Sequence, residues 1–221
     1  MKNYILIFTS LFFASISLMA QQYDAQNIDF KSNWKDESFD HTTMETFYNS
    51  IWGWHDHSKR REYGILGGKD GTYFIEVTNP ENPVFRAYVK GKQSNCIWRE
   101  FKTYKNYAYL ISDDAPPNSF QIVDMSYLPD SVHVVHDSNE IFETAHTLYI
   151  DGDKLYCAHV RKKDGTYYSM AVYSLADPKN PVLLRALSDD YPEIDQVHDM
   201  FVRNDTVYAS TGFQGLHIFK F

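Results

Sequence analysis

The sequence has no block of basic residues. Its 21 lysines and arginines are outnumbered by 29 aspartates and glutamates, giving a formal net charge of −8. An acidic chain of this kind is a poor partner for nucleic acid or for an anionic membrane surface. Cysteine is scarce as well. Cys96 and Cys157 stand far apart with no metal-type spacing. Each reads as a small buried side chain, although a disulfide between them stays open in an oxidising compartment. There is no GxSxG elbow, no phosphate-cradling glycine loop, no HExxH pair and no cysteine in register with a histidine, so no nucleophile stands out. Beyond residue 20 no apolar run is long enough to span a bilayer.

What the chain has instead is aromatic residues: 17 tyrosines, 15 phenylalanines and 4 tryptophans. With few helix-type apolar runs, that composition favours strands. The opening "MKNYILIFTSLFFASISLMAQQ" sets one lysine before an apolar run from Ile5 to Met19, then Ala20 and a polar segment. It has the layout of a secretory signal peptide cleaved after Ala20, and no cysteine follows to carry a lipid. The expected organisation is residues 1–20 as signal peptide, 21–47 as a lead-in, and 48–221 as one β-sheet domain. The mature chain is long enough for one sizeable core.

That domain is repetitive. Second-strand segments "EYGILGG", "NYAYLIS", "KLYCAHV" and "TVYAST" are each followed by a third, "GTYFIEV", "SFQIVD", "YSMAVYS" and "QGLHIFKF". Asp151-Gly152-Asp153 and Asn204-Asp205 are hairpin signals, while "NPENP" and "DPKNP" interrupt the ladder because proline cannot donate to it. Outer strands "VFRAYV", "VHVV" and "VLLRAL" complete three of the units. Four short antiparallel strands per roughly 45–50 residues is the rhythm of a propeller blade. A β-sandwich would not repeat the same order of strand signatures four times. The fold expected is all-β, a propeller of about four four-stranded blades.

Ile65, Tyr109, Tyr156 and Tyr208 hold one repeat position, and ten positions upstream of each stand His55, Arg99, His146 and His198. The next residues are Asp56, Glu100, Thr147 and Asp199. First strands of successive blades run side by side around the axis, so residues at one offset should gather at one mouth of the channel. Binding there is an analogy with other propellers.

The segments "YNSIWGWHD", "EYGILGGKDGTYFIEVTNPENPV", "CIWREFKTYKNYAYLISDD", "TAHTLYIDGDKLY" and "VHDMFVRND", taken in order, resemble the secreted choice-of-anchor B family. "FQIVDMS" is similar to its LVIVD-type propeller repeat. The resemblance covers residues 26–221 and implies an exported, surface-associated β-propeller without implying a reaction. Members run on through further repeats, so this chain is expected to be short at its C-terminus. Unit four lacks an outer strand, and "QNIDFKS" at 26–32, with Ile28 and Phe30 alternating, is the candidate to close the ring. Otherwise the product is an incomplete ring whose unpaired faces should associate.

His55, Asp56, Arg99, Glu100, His146, His198 and Asp199 are therefore the candidate ligand-binding residues. Three readings compete. The polar pairs brace the blades, or Arg99 and the histidines receive an anionic group, or imidazoles and carboxylates hold a divalent metal. No catalytic residue and no cofactor is assigned, and metal ligation stays open. The expected function is a noncatalytic binding or scaffold protein of the cell envelope or exterior, engaging a protein or polysaccharide through one face of the ring. The alternative is a metal-assisted hydrolase or lyase built on the His/Asp cluster.

Overall fold

The computed structural model describes residues 26–43, 45–114 and 116–221. The expected signal peptide lies outside them. Fifteen strands form four antiparallel sheets. Blade one is β1 (Tyr48–Asp56), β2 (Arg61–Gly68), β3 (Gly71–Glu76) and β4 (Val84–Lys90). Blade two is β5 (Arg99–Tyr104), β6 (Tyr107–Ser112), β7 (Phe120–Asp124) and β8 (His133–Ser138). Blade three is β9 (Thr147–Asp151), β10 (Lys154–Arg161), β11 (Tyr167–Ser174) and β12 (Val182–Ala186). Blade four has β13 (Asp199–Arg203), β14 (Thr206–Ser210) and β15 (Leu216–Lys220). Each sheet is a meander in chain order, as an all-β propeller requires.

Local chemistry accounts for the strand ends. Asn204 and Asp205 both take positive φ, the backbone of a two-residue I′ hairpin whose twist matches its flanking strands. In blade three Gly152 alone takes positive φ, at the first turn position, as in a II′ hairpin. The proline segments fall between third and fourth strands. A register shift recurs at one repeat position, Phe74/Ile75, Ile122/Val123 and Val172/Tyr173, where β4, β8 and β12 meet the sheet. A bulge there increases the local twist of each outer pair. Glu76, buried at the end of β3, accepts from Arg61 at 2.6 and 2.8 Å and from Arg86 at 2.8 Å, tying β2 and β4 to β3.

The core lies between blades. Trp54, Tyr63, Ile65 and Phe74 pack on Phe101, Leu110 and Val123 between blades one and two. Tyr109, Phe120 and Ile122 meet Leu155, Cys157 and Tyr173 between two and three. Tyr156, Met170 and Val172 meet Met200, Val202 and Val207 between three and four. Each fully buried large side chain contributes about 1.5–3 kcal/mol of transfer free energy. Polar seams run alongside. Trp54 Nε1 donates to the Lys105 carbonyl at 3.0 Å, and the Tyr109 hydroxyl to the Pro178 carbonyl at 2.9 Å. Lys154 Nζ and the Tyr156 hydroxyl both reach Asp205, at 2.9 and 3.2 Å.

Inner strands pack in series, β1 on β5, β5 on β9 and β9 on β13, and among the described residues no comparable packing joins β13 to β1. The four blades form an arc. The described lead-in carries no strand and lies on blade one. Ser32 Oγ donates to the Pro80 carbonyl, Trp34 lies 5.2 Å from Tyr73 and stacks on Phe85, and Phe39 stacks on Phe47. Blade four accordingly has three strands, and residues 26–32 do not supply a fourth. Cys96 and Cys157 are buried free thiols. Among the described residues no helix is long and apolar enough to cross a membrane.

Phe120 is fully buried between blades two and three, whereas Phe213 is wholly exposed. Phe120→Ala should destabilise the protein by about 3–5 kcal/mol, and Phe213→Ala should change stability by no more than about 0.5 kcal/mol. Denaturant unfolding of the two variants checks both values.

Candidate functional site

A cavity of about 730 Å³ opens at one end of the arc, where the first strands begin. Its wall includes Arg99, Glu100, His146, His198 and Asp199, which the structure brings together. His55 and Asp56 are elsewhere. Cross-strand pairing explains the difference. Lys102 pairs with Tyr109, Tyr149 with Tyr156, and Phe201 with Tyr208, but in blade one Ile65 pairs with Trp52. The β1–β2 hairpin is longer than its counterparts, so a fixed count of ten upstream of Ile65 stops short of the mouth, partway along β1. Across the bulge at the start of β1, Tyr48 pairs with Gly68 as Arg99 does with Ser112, and Tyr48, Asn49 and Ser50 are the blade-one strand residues that line the cavity. His55 lies about 20 Å further along the strand from Asn49, at 3.3 Å per residue. It is exposed there, its ring 4.2 Å from that of His57. Asp56 caps the hairpin turn, accepting from Ser58 N and Oγ at 3.0 and 2.6 Å and from Lys59 N at 3.1 Å.

Arg99 is at the cavity, but its guanidinium is directed into blade one. Nε donates to the Gly68 carbonyl at 2.8 Å, and Nη2 to the carbonyls of Gln93 at 3.1 Å and Lys69 at 3.5 Å. The residue is buried, and Gly91 is held without a side chain because a Cβ would sit 2.4 Å from Nη2. Its Nε and Nη2 donors are committed to backbone oxygens, so Arg99 ties blades one and two together at this point. Glu100 accepts from Ser50 Oγ at 2.8 Å and from Lys102 Nζ. Lys102 also lies 4.1 Å from the Trp52 ring centroid, a cation–π contact at the channel wall.

The imidazoles form the chemically distinctive part. His146 Nδ1 lies 2.7 Å from Asp113 Oδ2, and its ring centroid is 4.5 Å from that of His198. His159 joins from β10, 6.4 Å from His146, with a positive φ of 54° that turns it out of the strand alternation. Its Nδ1 is 3.2 Å from the Tyr167 hydroxyl, which is 3.1 Å from the Asp195 carbonyl. A carbonyl only accepts, so Tyr167 donates to Asp195, and the arrangement is complete when His159 Nδ1–H donates to Tyr167. The two histidines differ in environment. The hydrogen bond that His146 donates to the Asp113 carboxylate raises the His146 pKa against the opposing effect of burial, and the charges of Asp113, Asp199 and Glu100 add to it. Burial lowers the His159 pKa. Of these two rings, His146 keeps its proton to the higher pH.

An apolar wall faces this polar group. Ile97 and Trp98 are exposed at the cavity rim, with the Trp98 ring 6.5 Å from His146. Asp114 fixes them by accepting from both backbone amides, at 3.1 and 3.0 Å. Asp113, Asp114 and His159 belong to the site although the repeat register did not select them, and Trp98, one residue before Arg99 in that register, joins them. A topological signal was present. The loop after a second strand lies at the same end of a blade as the entry to its first strand, so "SDDAPPNS" borders the mouth.

Other tryptophan and histidine side chains have local roles. Trp54 is buried against Tyr63, and His133 stacks on Tyr127 at 3.8 Å. His41 Nε2 bonds the Asp36 carbonyl, and Thr211 Oγ1 lies 2.8 Å from His217 Nδ1. Among the described residues no group of three or more His, Cys, Asp or Glu side chains is arranged to hold a metal ion.

The Asp113–His146 pair carries a pH signature. Its contribution to stability is full below the ordinary imidazole value of 6.5 and is lost as pH rises through the raised value in the folded protein. His159 acts in reverse, its stabilisation being lost as pH falls through the lowered value. Asp113→Asn should bring the His146 titration down and, because the Asp113 charge also raises His159, should lower the His159 titration further, as read by NMR titration of the ring protons.

No protein-family model matches the chain, and no curated protein matches it, so the chemistry of this mouth is argued from its own geometry.

Proposed function

We propose that this chain is an exported, noncatalytic binding or scaffold propeller of the cell envelope or exterior. It engages a protein or polysaccharide through the mouth lined by Trp98, His146 and His198. The observation that carries this reading is the cavity of about 730 Å³, with an exposed indole on one wall and imidazoles and carboxylates on the other. An aromatic face beside hydrogen-bonding groups suits a partner that is partly apolar and partly hydroxylated or amide-bearing. The polar groups are engaged in pairs with one another, Asp113 with His146 and Glu100 with Lys102, as in a preformed recognition surface. The leader-like N-terminus and the resemblance to choice-of-anchor B repeats support placement outside the cytoplasm.

Titration of purified protein with a panel of soluble envelope polysaccharides and peptides, followed by tryptophan fluorescence, tests the proposal. A saturable ligand should lose at least about tenfold in affinity with Trp98→Ala, equivalent to about 1.4 kcal/mol. His146→Ala should also weaken it, while His55→Ala leaves it unchanged. Equal binding by the wild type and Trp98→Ala would move recognition away from the mouth. Elemental analysis of untagged protein separates the metal-assisted alternative. A stoichiometric transition metal that disappears in the His146→Ala, His198→Ala double variant would replace the binding reading. For export, N-terminal sequencing of the extracytoplasmic form should begin at Gln21.

A further inference from the structure

Every internal blade presents two apolar faces, and each is covered by a neighbour. Blade four is different. At the second-strand repeat position, Ile65, Tyr109 and Tyr156 are each 0% exposed, whereas Tyr208 is 40% exposed. At the third-strand partners of those residues, Phe74 and Ile122 are 0% and Val172 2% exposed, whereas Ile218 is 59% exposed. Phe201, cross-strand from Tyr208, lies on the same open face. The burial pattern of β13 alternates strictly, with Met200 and Val202 packed on blade three and Phe201 and Arg203 outside.

The reciprocal vacancy is on blade one. Phe101, Leu148 and Met200 occupy the first-strand position that packs toward the preceding blade, and all three are buried. Its counterpart in blade one, Ile51, is 66% exposed. Gly53 and Gly64 are cross-strand partners beside it. A Cβ at Gly53 would meet nothing within 4 Å, and one at Gly64 only the tips of Ile51 and Val77 at that limit. The result is a shallow apolar floor without side chains at its centre. The lead-in covers Tyr73 and Phe85 farther out on the sheet and leaves this inner floor open.

We propose that the open face of blade four docks on the open face of blade one of a second copy of this chain, and that two copies joined head to tail complete one ring. The contact would repeat an interface that the chain already forms internally three times. Tyr208 and Ile218 fill the role of Tyr156 and Val172, and Ile51 and Leu66 that of Met200 and Ala209. Phe201 meets Trp52 of the second copy, as Tyr149 meets Phe201 at 5.6 Å within one chain. Charge agrees at the hairpin end, where Arg203 lies on the face of blade four and Glu62 on the face of blade one. Two arcs bring the blade number to about eight, the upper end of the usual range of about four to eight. A head-to-tail contact between two copies closes only if the rotation per blade permits it, and otherwise it grows into an open polymer.

Sedimentation of the purified protein tests the assembly, with a mass twice that of one chain expected. Tyr208→Lys with Ile218→Lys should weaken association at least about a hundredfold. Both positions are exposed within one chain, so circular dichroism and thermal unfolding of the dissociated variant should retain the wild-type β signature. Single variants Tyr208→Cys and Ile51→Cys, treated with a short bis-maleimide, distinguish the geometry, because the native thiols are buried. Cross-linked dimer should form on mixing the two variants and not with either alone. A monomer at all concentrations overturns the proposal, as does cross-linking of Tyr208→Cys to itself, which marks a face-to-face contact. An unlimited ladder of polymers overturns the closed ring.

Discussion

The structure depends on one constraint, that a small antiparallel sheet with two apolar faces cannot be stable unless both are covered. No blade here has a core of its own. Its large side chains are shared with the blades before and after it, and the three internal clusters of the protein are three such shared layers. Stability in an assembly of this kind is held at the boundaries between modules, much as in other repeat proteins. The site has the same origin. Its histidines come from blades three and four and its carboxylate from blade two, so the mouth exists only when the blades are stacked.

Much of this was legible in the sequence because a propeller writes its geometry as a repeat. The second and third strands of all four units, the proline-bearing connections and the hairpin at Asn204-Asp205 were read from spacing and turn chemistry, and the structure forms strands and turns there. The shared position of His146 and His198 was legible for the same reason. Both stand at one offset in blades whose first hairpins are equally tight.

Three features were not legible, each for a physical reason. The longer first hairpin in blade one displaced His55 from the mouth. A residue count cannot see how many cross-strand pairs form before a chain turns, and the extended pairing from Trp54–Tyr63 to Asp56–Arg61 is a tertiary outcome. The direction of Arg99 was hidden too, because two of its three carbonyl partners, Gly68 and Lys69, lie 31 and 30 residues upstream and become available only on the neighbouring blade. Asp113 could not be singled out because its partner His146 stands 33 residues later and arrives only with blade three. Strand identity is local, whereas the aim of a side chain at a junction is not.

The polar seams have a consequence for how the molecule is made. The Trp54 indole reaches forward to the turn carbonyl of blade two, Tyr109 to a loop of blade three, and Tyr156 with Lys154 to the turn of blade four. In each case an earlier-synthesised module holds out a donor to a later one. A blade without its successor therefore leaves such a donor unmatched as well as an apolar face bare, so a partial stack gains little and the full stack is favoured as a whole.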